Sequence, residues 1–216
     1  MASKSGQPAP RTKPLKRPQQ ARARFTVQAI FDAYVRIWQR DGWDKVTTRA
    51  VALETGVAIG TLYDYFPSKE ALHSGYVRHC IERLIQRVDD KVVAAQGLNW
   101  QQRLRQLIRI LSGNESDGQS WFHPDMLLLE PLIADQKHQR RAYEELLACW
   151  QRVFDSCTDL PRQPAPATVE AMHLAVWGGR RYAMLVNLDA ENMDRWAQQA
   201  ELMCLGLLNT PNNPRL

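Results

Sequence analysis

No uninterrupted apolar run in these 216 residues approaches the roughly 20 needed to cross a bilayer, so no membrane span and no membrane partner are expected. The N-terminus is positively charged, but Pro8, Pro10, Pro14 and Pro18 stand where a secretory signal needs an apolar stretch, and the protein is expected in the cytoplasm. Cysteine is sparse. Cys80, Cys149, Cys157 and Cys204 form no Cys-x-x-Cys pair and no zinc-like spacing; each falls in a helix-like stretch, where free cysteine is usually a small buried hydrophobe. The chain also lacks His-Glu-x-x-His, a phosphate-cradling Gly-Lys-Ser/Thr loop and a Gly-x-Ser-x-Gly elbow, and His73, His79, His123 and His138 make no compact ligand set with the cysteines. Catalytic residues, a metal site and a cofactor are therefore not expected, and the protein is not read as an enzyme. Sustained period-two alternation is missing as well, so no strand is expected and the fold class is all-α.

Acidic residues are absent from residues 1–24, which hold seven Lys or Arg, whereas the whole chain has a net charge of only +5 and its remainder is therefore −2. The basicity is local, and it makes the N-terminal region attractive to polyanions. The first 20 residues, rich in Pro, Ser, Gln and Lys, have little apolar material to offset the entropy of ordering and read as a flexible arm. That arm either solubilises the chain or follows a minor groove.

From about Ala21 the pattern becomes helical. Val27, Ile30, Phe31, Tyr34 and Trp38 recur at three- and four-residue steps, and Asp41–Asp44 ends the run. After residue 70, Leu72, Val77, Cys80, Ile81, Leu84, Ile85 and Val88 keep helical spacing for several turns. Further stripes follow at 104–111 and 143–157, then a break at 161–166, and two helices over roughly 167–189 and 191–208.

Between the first helix and the long one lies TTRAVALETGVAIGTLYDYFPSK, residues 47–69. Thr47 or Thr48 can cap a short helix, Gly56 can take the left-handed conformation that turns the chain, and a second short helix runs to Pro67. Val51, Val57, Leu62 and Phe66 are spaced to share a small core, while Ala52 lets the helices cross closely. The arrangement reads as a helix-turn-helix. With Leu62 and Phe66 inward, Gly60, Thr61, Tyr63 and Tyr65 fall on other faces, though Tyr63 and Tyr65 also fit as core aromatics. Gly60 would let a backbone approach a duplex, and hydroxyls with Arg49 and Lys69 are groups that grip phosphates.

VTTRAVALETGVAIGTLYDYFPSKEAL, residues 46–72, resembles the DNA-binding motif of tetracycline-repressor (TetR) family regulators. The resemblance implies a homodimer with a helix-turn-helix DNA-binding domain over 21–70 and a helical domain for effector binding and dimerisation over 71–216. Carried across by position, Thr47, Thr48, Arg49, Ile59, Gly60, Thr61, Tyr63, Tyr65 and Lys69 form the DNA-binding set, with Thr48 and Lys69 on phosphates, Arg49 on a base edge or phosphate, and Thr61, Tyr63 and Tyr65 on the recognition helix. Two departures stand out: Ala58 replaces a frequent serine cap, and Ile59 is apolar where base-reading polar residues are common. Thymine methyl contact and DNA shape are then expected to matter as much as hydrogen bonds.

The same resemblance implies partners: double-stranded DNA with a palindromic operator, a second copy of the chain, and a small hydrophobic effector that releases a repressor. Trp121, Phe122, Met126, Trp150, Phe154, His173 and Trp177 are candidates to line an effector cavity, against the alternative that they are ordinary core. Gly178, Gly179 and Ala183, with the stripe Trp196, Ala200, Met203 and Leu207, resemble a dimer-forming pair; packing within one chain is the other option. An architectural DNA-binding protein without an effector is the alternative function.

Overall fold

The computed structural model describes residues 21–113, 126, 129, 132–133 and 136–209. Every regular element among them is helical: α1 (Ala21–Asp41), a 3-10 turn (Trp43–Lys45), α2 (Thr48–Thr55), α3 (Ile59–Tyr65), α4 (Lys69–Val88) running into a π-helical turn (Asp89–Val93), α5 (Trp100–Ser112), α6 (Gln136–Asp155), α7 (Pro166–Leu185) and α8 (Ala190–Asn209). The expected all-α class is correct. No helix among the described residues is long and apolar enough to cross a membrane. The basic arm of residues 1–20 lies outside the described residues.

The chain divides into two compact units, residues 1–79 with 120–135, and residues 80–119 with 136–216, so that the division falls inside α4. In the first unit the three- and four-residue apolar steps of α1 become one buried face, with Ile30, Phe31, Tyr34 and Ile37 at 3% exposure or less. Phe31 is its hub. Its ring centroid lies 5.5 Å from that of Phe66, 5.6 Å from Tyr76 and 5.0 Å from His79, so one side chain joins α1, the end of α3 and α4. Truncating a buried aromatic of this kind typically costs about 3–5 kcal/mol.

In the second unit α5 packs against α6, α7 and α8. Asn99 opens α5 with a reciprocal capping box: its side chain accepts from Gln102 N at 2.8 Å, and the Gln102 side chain accepts from Asn99 N at 2.9 Å. Leu104, Leu107, Ile108 and Leu111 are then fully buried, along with Leu146, Trp150, Met172 and Val176 from α6 and α7. The π-helical turn was not expected from sequence, and a distant side chain holds it. Arg103 on α5 donates to the carbonyls of Val92, Val93 and Ala95, while Arg152 on α6 grips Asp89 through both carboxylate oxygens at 2.9 and 3.0 Å. All four cysteines are buried and outside any disulfide, and burial pushes the thiols of Cys149 and Cys204 up to about 12, which suits packing rather than thiolate chemistry.

Candidate nucleic-acid interface

Thr47 is the residue that caps α2, its Oγ1 accepting from Ala50 N at 3.0 Å. Gly56 ends the helix at φ 76°, and its N–H donates back to Ala52 O at 3.0 Å. A Cβ at Gly56 would meet nothing within 4 Å, so the left-handed backbone, rather than space, is what favours glycine there. α3 begins after Ala58, which supplies no side-chain cap, as the sequence indicated. Val51, Leu62 and Phe66 are buried in the shared core, and Val57 is half-buried beside the turn.

Burying those residues fixes what the pair of helices shows to solvent. Arg49, Ile59, Gly60 and Tyr63 are exposed, and Thr48, Thr61 and Tyr65 are half-buried. A Cβ on Gly60 would also meet nothing within 4 Å, so no packing within the chain requires glycine at that point of the surface. Tyr63 is 46% exposed, yet its position is set: the Thr48 hydroxyl donates to the Tyr63 hydroxyl at 3.2 Å, tying α2 to α3. Tyr65 leans on Phe66, ring centroids 6.3 Å apart. Behind this face, Glu54 holds Arg36 at 3.2 Å and Arg40 at 3.3 Å, fastening α2 to α1 and drawing the Glu54 carboxyl below its usual range, chiefly through the Arg36 bond. These exposed ion pairs are screened by water and salt and position the helices more than they stabilise them.

Lys69 stands at the first turn of α4, after Ser68, whose hydroxyl oxygen caps the helix by accepting from Ala71 N at 3.1 Å. Its ammonium sits 4.2 Å from the centroid of the Trp43 ring, a cation–π contact that gives a long flexible side chain a preferred place. Trp43 in turn lies 5.2 Å from Trp38 and 5.5 Å from His73. His73 is fully buried, its Nδ1 2.7 Å from the Tyr34 hydroxyl, and burial lowers its pKa to about 4 despite a backbone hydrogen bond with Met126 that favours the charged form. Trp43 escaped notice in the sequence as a partner of Lys69. The one signal available was a tryptophan in the short Gly-Trp-Asp-Lys stretch before the threonines.

The candidate effector-lining residues are not all brought together. Trp121 and Phe122 lie outside the described residues. Met126 belongs to the first unit, where it meets His73, while Trp150, Phe154, His173 and Trp177 belong to the second. The Trp150 and Phe154 rings meet at a tilt with centroids 6.3 Å apart, His173 lies 5.2 Å from Tyr143, and the Arg180 guanidinium lies 5.3 Å from the Trp177 ring. Among the described residues no group of three or more His, Cys, Asp or Glu could hold a metal ion.

The dimer candidates divide as well. Trp196 presses on Gly179 within the same chain, so closely that a Cβ there would come 2.6 Å from its ring, and Ala200 is buried. Met203 and Leu207 stay exposed. On α7 a second exposed apolar row appears that the sequence had not singled out: Leu174 at 54%, Tyr182 at 66% and Leu185 at 58%, one face of the helix at steps of eight and three.

The sequence model of bacterial regulatory proteins of the tetR family matches residues 30–74, which spans α1, the helix-turn-helix and the start of α4. The chain is 40% identical over 65 residues to the HTH-type transcriptional repressor KstR of Mycolicibacterium smegmatis, a match covering 30% of this chain and 32% of that repressor. It is 34% identical over 79 residues to KstR of Rhodococcus jostii, covering 37% and 35%. The chain thus spans about a third of the curated relatives it matches. In fold, Salmonella enterica GusR superposes with a TM-score of 0.64 at 18% identity over 89% of this chain and 99% of that one, and the fatty acid degradation regulator FadR from Bacillus halodurans with 0.63 at 14% over 91% and 100%. SmeT, solved in complex with triclosan, superposes with 0.58 at 17% over 88% and 96%. Residues 30–74 match the tetR family of bacterial regulatory proteins and are set in this all-helical fold.

Proposed function

We propose that this protein is a cytoplasmic, homodimeric transcriptional repressor that binds a palindromic operator through α2 and α3 and is released by a small hydrophobic effector held in its second unit. The observation that carries the reading is the outward face of the helix-turn-helix. Arg49, Ile59, Gly60 and Tyr63 are exposed on a short helical pair whose inner face is sealed by Val51, Leu62 and Phe66. α3 is of a size that enters a major groove about 12 Å wide. In this reading Thr47, Thr48 and Lys69 bind phosphates at its edges, Arg49 reaches a base edge or phosphate, and Thr61, Tyr63 and Tyr65 extend the contact along α3. The local excess of Lys and Arg would steer the head to a polyanion.

Dimerisation is supported by the exposed apolar row Leu174, Tyr182, Leu185 on α7 and by Leu202, Met203 and Leu207 on α8. Pairing these faces with a second copy would remove them from water and make a four-helix contact. Two heads would then address half-sites roughly 34 Å apart, one helical turn. The effector is supported by aromatic and sulfur-bearing side chains in the second unit, and by the likeness in fold to SmeT, which is solved in complex with triclosan.

Selection of bound duplexes from a random pool by the purified full-length chain tests the reading. A two-fold symmetric site bound by a dimer is expected. Equal retention of all sequences at low salt would instead leave an architectural DNA-binding protein.

A further inference from the structure

Lys69 ends in an ammonium on a flexible four-carbon stem, and its partner in the structure is a ring rather than a carboxylate. α1 ends where Gly42 N–H donates to Trp38 O at 2.9 Å, and the 3-10 turn that follows closes with Val46 N–H donating to Trp43 O at 3.1 Å. That tight turn folds Trp43 back onto the head. Its ring centroid comes 5.2 Å from that of Trp38, which is buried, and meets fully buried His73 edge-on at 5.5 Å. Supported by these two groups, the indole is itself half-buried, and the Lys69 ammonium lies 4.2 Å from its centroid. Lys69 reaches it from the first turn of α4, which Ser68 fixes by accepting from Ala71 N at 3.1 Å through its hydroxyl and from Leu72 N at 3.0 Å through its carbonyl. Cation and ring are thus each anchored at the backbone, and they meet at the surface of one unit.

We propose that Trp43 is a positioning residue for DNA binding: its ring holds the Lys69 ammonium where it meets a backbone phosphate. The inference deepens the DNA-binding part of the regulator reading and rests on it. A lysine free to rotate gives up rotamer entropy when it binds a phosphate. A cation–π contact at a partly exposed site favours the ring-bound rotamers over the rest by about two- to fivefold, and affinity rises by up to that factor when those rotamers are the ones that bind. A ring also suits the task better than a carboxylate. Aspartate or glutamate would hold Lys69 as well, but would offset its charge and repel the phosphate, whereas neutral indole leaves the positive charge whole. An ammonium has three N–H donors, so turning one to the ring leaves two for phosphate oxygens. The same short stretch leads directly into Thr47 and Thr48, so the turn that seats the ring also places the start of α2.

Because a phosphate contact carries no sequence information, the test needs no operator. Full-length wild type, Trp43→Leu, Trp43→Phe, Lys69→Met and the Trp43→Leu/Lys69→Met double variant are titrated onto a fluorescein-labelled duplex of mixed sequence over a series of low salt concentrations, with binding read by anisotropy. Lys69→Met should weaken binding and lower the salt slope by about one for each head bound. Trp43→Leu, with Lys69 intact, should weaken binding by about two- to fivefold per head, while Trp43→Phe, which keeps a ring face, should retain most of the affinity. The double variant should bind no worse than Lys69→Met alone. A loss from Trp43→Leu that is as large in the Lys69→Met background would make the tryptophan structural only, and unchanged binding by either single variant would also overturn the proposal. If Trp43→Leu does not fold, NMR of the wild type decides. The Lys69 methylene protons next to the nitrogen, held over the ring, should resonate upfield of those of the other lysines and stay there when duplex is added; an ordinary shift in the free protein, or an upfield shift lost on binding, refutes the positioning role. Wild type that retains no duplex defeats the DNA-binding reading itself, whereas firm binding that both single variants leave unchanged defeats this inference alone.

Discussion

His73 should make the helix-turn-helix unit sensitive to mild acid. The imidazole is fully buried among Tyr34, Trp38 and Trp43, and burial lowers its pKa to about 4 from an ordinary value near 6.5. Below pH 6.5 the unfolded chain binds a proton that the folded chain refuses. Stability from this residue is therefore complete above pH 6.5, declines as pH falls toward 4, and is flat below that. At about 1.36 kcal/mol per pH unit the full loss would be about 3 kcal/mol, of which about 2 kcal/mol is reached between pH 7.5 and 5. Urea unfolding at those two pH values, for wild type and His73→Gln, isolates the contribution. His173 in the second unit adds a decline of the same sign, so the informative quantity is the difference between the two proteins. Wild type is expected to lose about 2 kcal/mol more than the variant over that interval. Equal losses, or an NMR titration showing His73 protonating near 6.5 in the folded protein, would refute the reasoning.

Gly179→Ala should lower stability by about 1–3 kcal/mol, because the new methyl would come 2.6 Å from the Trp196 ring, while Gly178→Ala, with open space around it, should be neutral or slightly stabilising; thermal melts of the two variants check this. Thr48→Val removes the hydroxyl that donates to Tyr63 and should weaken operator binding by about three- to tenfold with unchanged Tm, read by fluorescence anisotropy; unaltered affinity would detach Tyr63 placement from binding. Tyr182→Glu introduces a charge into the exposed apolar row of α7 and should shift the protein toward monomer in light scattering after gel filtration, and a species of unchanged mass would move the dimer contact elsewhere.

The head was legible because its signals are local. A hydroxyl cap, a left-handed glycine, and apolar residues at helical steps each act within a few residues, so Gly56, Leu62 and Phe66 could be assigned from spacing alone and the cap narrowed to Thr47 or Thr48, of which the structure selects Thr47. What stayed hidden depends on contacts between residues far apart in the chain. The π-helical turn after α4 is secured by Arg103 and Arg152, neither of which sits in it. Trp196 read as part of a free stripe because its seat, Gly179, lies on another helix, and the exposed row on α7 was concealed by the absence of a polar counterface in its sequence. Met126 reads as one more apolar residue among the middle helices; only the fold puts it beside His73.

The exposed surface of α3 has few groups able to read bases, and this bears on how the proposed operator could be discriminated. Ile59 is apolar, Gly60 has no side chain, Thr61 is half-buried, and the Tyr63 hydroxyl already accepts from Thr48. A bidentate contact discriminates one base pair by about 1–3 kcal/mol, and Arg49 is the single side chain in the proposed set built to make one with guanine. Phosphate contacts from Thr47, Thr48 and Lys69 would orient the head but carry no sequence information. A single head would then separate its site from bulk DNA weakly, through Arg49, a thymine methyl at Ile59 and the shape of the groove. Two heads held at fixed spacing double that difference in free energy and so square the ratio. On this account the exposed rows of α7 and α8 matter to specificity as much as α3 does, because a monomer with every base contact intact would still lack the discrimination a repressor needs.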